Sequence, residues 1–129
     1  MSDTKLKNIM VGALVDNSGT VAIMLFLMTA FAAHGLSPEE AAARMKSPSG
    51  LLLNLIIGPG CTCLGGYIAG RMARRSEVMH GAVVAGTGMV LALPLRESVL
   101  PGWYDITGFA GMMPAGIFGG HMARQRRTP

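Results

Sequence analysis

Charged side chains are scarce in this chain. Of its 129 residues, 14% are Asp, Glu, Lys or Arg, whereas 50% are hydrophobic and the mean hydropathy is +0.43. Ordinary soluble domains are about a quarter charged, and each helix of a soluble bundle carries a polar face. The apolar stretches of this sequence have no such face. The composition therefore argues against a soluble domain.

The motifs of common enzymes are also missing. The sequence has no nucleophile paired with a base, no phosphate-binding glycine loop and no metalloprotease motif. We therefore expect no enzyme activity and no bound cofactor. Its arginines form two short clusters, at 71–75 and 124–127, which belong to no soluble domain. We expect no binding to nucleic acid.

Four apolar stretches remain, at about 8–33, 51–71, 78–96 and 104–123. Each is roughly long enough to cross a hydrocarbon core of ~30 Å. Helices satisfy their own backbone groups in lipid. The sequence therefore predicts an all-α integral membrane four-helix bundle, forming a single transmembrane domain whose surroundings are the lipid bilayer.

The first stretch also has features of a cleavable signal peptide. Lys5 and Lys7 precede it, and Ala-Phe-Ala occurs at 30–32. However, the run is longer than a usual signal core and is interrupted by Asp-Asn-Ser-Gly at 16–19. We expect it to remain as a membrane span.

An internal repeat organises these stretches. GYIAGRMAR at 66–74 and GIFGGHMAR at 116–124 share five of nine residues and lie fifty residues apart. A second match, GALV at 12–15 with GAVV at 81–84, lies sixty-nine residues apart. The pattern predicts two tandem helical hairpins in parallel repeat, the first with about 19 more residues between its helices.

A short surface helix at 38–46 accounts for this insertion. Ser37 is a typical N-cap, Pro38 suits the first helical position, and Glu39 and Glu40 place carboxylates in the first turn. We expect Ser-Pro-Ser-Gly at 47–50 to end this helix.

The basic residues predict the orientation. With both termini cytoplasmic, eight Lys and Arg residues lie inside and three outside. The inner set is Lys5, Lys7, Arg71, Arg74, Arg75, Arg124, Arg126 and Arg127, and the outer set is Arg44, Lys46 and Arg96. We therefore expect both termini on the cytoplasmic side of an inner membrane, where the net charge of +4 faces anionic headgroups.

Small residues recur at every fourth position, as in a glycine zipper. They allow close backbone approach, which lipid-embedded helices need because no hydrophobic force draws them together. The predicted packing residues are Gly58, Thr62, Gly66, Gly70, Gly81, Ala85, Gly88, Gly111, Ala115 and Gly119. They can pack within one bundle or between protomers.

Asp16 is the residue most suggestive of chemistry. It lies about 12 Å inside the first predicted span, where an unpaired carboxylate is costly. It can be a packed polar spot with Asn17 and Ser18, neutralised by Arg71, or it can be a proton or cation site. We predict a contact between Asp16 and Arg71.

Two further sets of residues raise metal binding as an alternative. Cys61 and Cys63 could bind soft Cu(I), yet residues two apart on a helix point about 200° from one another. His80 and His121 lie at similar depth and could hold haem or a metal. Reduced packed thiols and histidines at helix ends are the simpler interpretation, and we expect no metal site.

The segment GGYIAGR at 65–71, followed by HGA at 80–82, resembles small uncharacterised prokaryotic four-helix membrane proteins with a GG(Y/F)(I/V)AG(R/K) motif. The resemblance implies a fold and a membrane location and transfers no site residues. Together these patterns predict a structural or accessory subunit that forms a homo-oligomer or joins a larger membrane complex. The alternative is a minimal oligomeric proton or cation transporter or channel that uses Asp16.

Overall fold

The computed structural model of the protein describes residues 3–73, 75–95 and 100–126. Every regular element in these segments is helical, which confirms the all-α prediction. The elements are α1 (Asp3–Ala33), α2 (Pro38–Lys46), α3 (Pro48–Ala73), α4 (Glu77–Ala92), a 3-10 turn (Leu93–Leu95) and α5 (Gly102–Gln125). The predicted surface helix is α2.

The four longer helices form an antiparallel bundle with a rhombic cross-section. Helices α3 and α4 touch across its centre, and α1 and α5 flank them on opposite sides without contacting each other in the part of the chain described. We call the end of the bundle where α1 and α4 begin the glycine end. The opposite end, where α3 and α5 begin, is the cleft end.

The ends of α1 follow from local chemistry. The helix begins at Asp3, five residues earlier than predicted, and that carboxylate lies in the first turn, where it complements the helix dipole. Gly35 (φ +82°) adopts the left-handed conformation after the last turn. The N–H of Leu36 then donates to the carbonyl of Phe31 at 3.1 Å, so that the motif ends the helix.

Helix α2 begins where predicted, and the break that follows it is shorter than predicted. The Ser37 hydroxyl accepts the N–H of Glu40, and the Glu40 carboxylate accepts the N–H of Ser37 at 2.7 Å, which completes a capping box. These hydrogen bonds hold the pKa of Glu40 below its ordinary value. Helix α3 begins at Pro48, so the expected break at 47–50 is reduced to Ser47.

Ser47 joins the two helices. Its N–H donates to the carbonyl of Arg44, while its hydroxyl accepts the N–H of Gly50 at 3.3 Å as an N-cap for α3. A Cβ at Gly50 would overlap the carbonyl of Arg44. Proline is favourable at the first helical position because its missing N–H would have no partner there. The predicted start at residue 51 is therefore three residues late.

The other helix ends differ by a few residues. Helix α4 ends at Ala92, because Pro94 lacks an N–H and the chain tightens into the 3-10 turn. Its predicted end at residue 96 lies outside the described residues, as do Arg74 and Arg127. Helix α5 extends two residues beyond its predicted span at each end, and α3 and α5 both continue through an internal proline, Pro59 and Pro114.

The interior of the bundle is built from small side chains and its exterior from large apolar ones. Ala69, Val84 and Ala85 are fully buried, whereas Phe26 is 69% and Ile56 is 73% exposed. Among the described residues, two of the four predicted spans, α1 and α3, are long and apolar enough to cross a membrane, judged by length and composition. Helix α4 is apolar but has only 16 residues, and α5, with 24 residues, does not qualify.

Doubled glycines let one helix contact two neighbours. A Cβ at Gly65 would lie 2.5 Å from the carbonyl oxygen of Gly12 on α1, and one at Gly66 would lie 2.6 Å from that of Gly116 on α5. Consecutive residues point about 100° apart on a helix. Each glycine of the pair therefore faces a different helix.

The pair at 119–120 on α5 works in the same way. A Cβ at Gly119 would overlap the carbonyl oxygen of Cys63 on α3, while one at Gly120 would lie 2.5 Å from the carbonyl oxygen of Glu77 on α4. All of these contacts lie in the half of the bundle nearest the glycine end. Backbone there packs on backbone.

Candidate functional site

Asp16 lies in the seam between α1, α3 and α4. Its side chain is 4% exposed. Oδ1 accepts a hydrogen bond from the hydroxyl of Thr62 at 3.1 Å, and Oδ2 is 2.9 Å from the position that a Cβ on Gly88 would take. Gly65 packs directly against the Asp16 side chain, because a Cβ on Gly65 would be 3.0 Å from the Cβ of Asp16. The site is tightly packed.

Thr62 connects this carboxylate with the cleft end, and Thr20 contacts the backbone of Asp16. The hydroxyl of Thr62 is also 3.1 Å from the carbonyl oxygen of Gly58, so its single proton is shared between two acceptors. Thr20 donates to the backbone carbonyl of Asp16 at 3.0 Å. Both Gly58 and Thr20 line a cleft that lies between the helices. Asp16 is thus one hydroxyl away from that cleft.

The structure does not bring Arg71 to Asp16. Thr62 is the side-chain partner of the carboxylate, and Arg71 is exposed nine residues further along α3, about 13 Å of helical rise. The reason is register: Gly12 packs against Gly65 and Ala69, and α1 and α3 are antiparallel. Asp16 lies one turn after Gly12 on α1, so it meets Thr62, which lies before Gly65 on α3 and farther from Arg71.

Asn17 also lies apart from the carboxylate. Its amide nitrogen donates to the carbonyl of Ala13 on its own helix at 2.8 Å. Such local bonds satisfy a polar side chain in an apolar setting without a second helix. Of the three residues predicted for a polar site, only Asp16 takes part in it. Sequence reasoning missed that Thr62 is its hydrogen-bond partner.

The two repeats are alike around this position and differ in its chemistry. Asp16 aligns with Ala85. The Cβ of Asp16 lies against Gly65, and the Cβ of Ala85 lies against Gly116, with 2.7 Å to the position of a Cβ there. The same kind of contact therefore holds a carboxylate in one hairpin and a methyl group in the other.

Most of the predicted packing residues are buried between helices. Those that are buried are Thr62, Gly66, Gly70, Gly81, Ala85, Gly88 and Gly119. Three predicted members lie in looser surroundings: Gly58 has no atom within 4 Å of its Cβ position, Gly111 has only Pro59 at 3.5 Å, and Ala115 is half-buried. The rule of every fourth residue missed Gly65, Gly116 and Gly120, which the doubled glycines could have revealed.

The cysteines and histidines do not converge. Cys61 is buried and Cys63 half-buried, both as free thiols. His80 is buried with Nδ1 3.0 Å from the carbonyl of Ser76, whereas His121 is exposed and bonds to Gln125. No group of three metal-ligating side chains occurs within the described segments. The geometry offers no support for the copper or haem alternative.

The cleft occupies the other half of the bundle. It encloses about 290 Å³ and adjoins a second hollow of about 310 Å³ under α2. Asn54 and Tyr104 line both hollows, and the Asn54 side chain is hydrogen-bonded to Tyr104. Tyr104 packs edge to face with Trp103, with ring centroids 6.2 Å apart. Sequence reasoning singled out neither Asn54 nor the cleft.

No protein-family model, curated protein or solved structure matches the chain. The resemblance to small prokaryotic four-helix membrane proteins therefore stays a prediction.

Proposed function

We propose that the chain is a small polytopic protein of a prokaryotic inner membrane. The inverted distribution of side chains supports this location. Large exposed apolar residues such as Phe26 and Ile56 would form an unfavourable surface in water. In lipid they are well solvated, and small buried residues such as Ala69 let the helices approach closely.

The proposed orientation places both termini in the cytoplasm. The described basic residues at the glycine end are all exposed: Lys5, Lys7, Arg71, Arg75, Arg124 and Arg126. Only Arg44 and Lys46 lie at the cleft end within the described residues. Positive charge favours the cytoplasmic side of a bacterial membrane.

Within the membrane, the proposed role is that of a structural or accessory subunit. The observation that carries it is the closely packed seam around Asp16, where a 4% exposed carboxylate bonds to Thr62 and lines neither of the two hollows. A side chain held in this way serves packing.

Association would use the outward face of α3. Ile56, Gly60 and Leu64 recur at every fourth position there, and all three are exposed. Gly60 has no atom within 4 Å of its Cβ position, so it leaves a notch between two large apolar side chains. Gly65, Gly66 and Gly70 of the same helix are already in contact with other helices of the bundle.

The test is the mass and composition of the complex purified in mild detergent. A subunit gives a mass well above the 13.5 kDa of one chain, with copies of itself or other components. Gly60→Leu fills the notch and should lower that mass, whereas Gly86→Leu, at another position with open space, should leave it unchanged. A lone 13.5 kDa chain would contradict the proposal.

The second candidate is a proton or cation site at Asp16. It is favoured by the Thr62 hydroxyl, which lies 3.1 Å from both the carboxylate and the carbonyl of Gly58 at the cleft. The hydroxyl can turn its single proton toward either acceptor, and the next proton carrier would be a water or ligand in the cleft, because the carbonyl of Gly58 only accepts a hydrogen bond. Asp16→Asn should then abolish flux in liposomes, while Thr87→Val, whose hydroxyl bonds only to Val83 of its own helix, should not. Unchanged flux in Asp16→Asn would rule out this function.

A further inference from the structure

The two hollows at the cleft end meet at Asn54. It lines the hollow of about 290 Å³ between α3 and α5 and the hollow of about 310 Å³ under α2. Its Oδ1 is buried and has no hydrogen-bond partner in the described part of the chain. A buried acceptor without a donor lowers stability, so this oxygen indicates a place where a donor from outside would be favourable.

A second acceptor lies one residue further along α3. In a regular helix the carbonyl of Leu55 would accept the N–H of residue 59. That residue is Pro59, which has no N–H. Leu55 and Pro59 both line the hollow of about 290 Å³ together with Asn54. The Leu55 carbonyl therefore lacks the i+4 hydrogen bond of a regular helix, next to the unpartnered oxygen of Asn54.

The remaining walls are apolar. Met24, Phe109 and Met112 line the same hollow and come from α1 and α5. Methionine side chains adapt to irregular ligand shapes because they are unbranched and flexible. Asp105 also lines this cleft. Such a site combines an apolar body with a polar acceptor end.

We propose that this cleft binds a primary ammonium group carried on an apolar body. An ammonium has three N–H donors and no acceptor, which complements the oxygens of Asn54 and Leu55, and the apolar body lies along Met24 and Phe109. The ammonium can come from a free amine or from an aminophospholipid headgroup. This inference is independent of both proposed functions, since it involves neither Asp16 nor the face of α3 at Gly60.

The test is equilibrium binding to the full chain in detergent. The probes are 2-phenylethylamine, its neutral analogue 2-phenylethanol and its N,N,N-trimethyl analogue, which keeps the charge and has no N–H. Hydrogen bonds to a charged group predict roughly tenfold tighter binding of the primary amine than of either analogue. Equal binding of all three probes would overturn the proposal, because apolar partition alone would then explain it.

Variants locate the site. Asn54→Leu should weaken binding of 2-phenylethylamine by roughly tenfold and leave 2-phenylethanol unchanged, and Asn54→Asp should strengthen binding of the amine. Thr87→Val, outside the cleft, is the matched control. If Asn54→Leu loses its helical circular dichroism, Pro59→Ala replaces it, since it restores an N–H toward Leu55 and should weaken binding. Unchanged binding in a folded Asn54→Leu or Pro59→Ala protein would overturn the proposal.

The source of the ammonium is decided in lipid nanodiscs. If the natural ligand is a headgroup, phosphatidylethanolamine in the disc should displace 2-phenylethylamine, whereas phosphatidylcholine should not. If it is a free amine, both discs should bind the probe equally. Failure of the probe to bind in phosphatidylcholine discs as well as in detergent would refute the site in either form.

Discussion

The two ends of the bundle are packed by different rules. At the glycine end, backbone lies against backbone, as where a Cβ on Gly119 would overlap the carbonyl oxygen of Cys63. At the cleft end, Gly58 and Gly60 of the same helix have no neighbour within 4 Å of their Cβ positions. Glycine content alone therefore does not indicate close packing. The neighbouring helix decides whether a glycine is a contact or a gap.

Asp16 and Asn54 differ in the same way. Asp16, at the boundary of the close-packed half, is hydrogen-bonded to Thr62. Asn54 in the open half keeps a buried oxygen without a partner among the described residues. Close packing gives Asp16 a fixed partner, although Nε2 of the buried His80 at the glycine end also lacks one among the described residues. What distinguishes Asn54 is that its side chain lines two hollows.

The largest expected effect is the difference in stability between two glycine-to-leucine variants, one at each end of the bundle. Gly119→Leu should destabilise the bundle by about 3 kcal/mol, because the side chain has no space against α3. Gly60→Leu should change stability by less than ~0.5 kcal/mol. Reversible unfolding by dodecyl sulfate, followed by Trp103 fluorescence, measures both. Equal losses in the two variants would remove the distinction between the ends.

A smaller effect is expected at the boundary between the halves. Thr62→Val should cost about 1–3 kcal/mol, because it leaves the Asp16 carboxylate buried without its donor. Combining it with Asp16→Ala should cost less than the sum of the single changes, since the two side chains share one hydrogen bond. The same unfolding assay gives the coupling, with Thr87→Val as control. Strict additivity would show that the pair is not coupled.

The smallest effect concerns α2 at the cleft end and depends on pH. The pKa of Glu40 is lowered by its hydrogen bonds with Ser37. The capping contribution is therefore fully present above the ordinary Glu pKa of about 4.3 and is lost as the pH falls through the lowered value. Hydrogen exchange of the first α2 amides should accelerate in that range beyond its intrinsic pH dependence.

Two variants separate the capping carboxylate from its neighbour. Glu40→Gln should remove this extra pH dependence, because an amide does not titrate there. Glu39→Gln, at the adjacent position of the same turn, should retain it. An identical pH profile in both variants would mean that the capping box does not stabilise α2.

Local patterns were readable from the sequence, and contacts between helices were not. Ser37 and Pro38 predicted the start of α2 because capping depends on residues within one turn. The same chemistry at Ser47 and Pro48 predicts only the end of α2, although Ser47 both ends α2 and caps the start of α3. Two adjacent signals of the same kind are ambiguous without the third dimension.

The partner of Asp16 was beyond the sequence for a different reason. Charge alone predicts Arg71 as the partner of Asp16. However, the contact of Gly12 with Gly65 sets the register of α1 and α3 so that Thr62 meets the carboxylate. The cleft around Asn54 likewise requires three helices at once. Neither feature has a signal within a single helical turn.

The sequence alone specifies the helical class, the main helical stretches and the positions of the basic residues, most of which lie at one end of the antiparallel bundle. These follow from apolar runs, caps and charge positions, which act over a few residues. Only the tertiary structure decided which glycines touch another backbone, which leave a cleft and which hydroxyl meets Asp16. Those outcomes depend on how helices are set against each other, because a shift of one turn exchanges every neighbour along the seam.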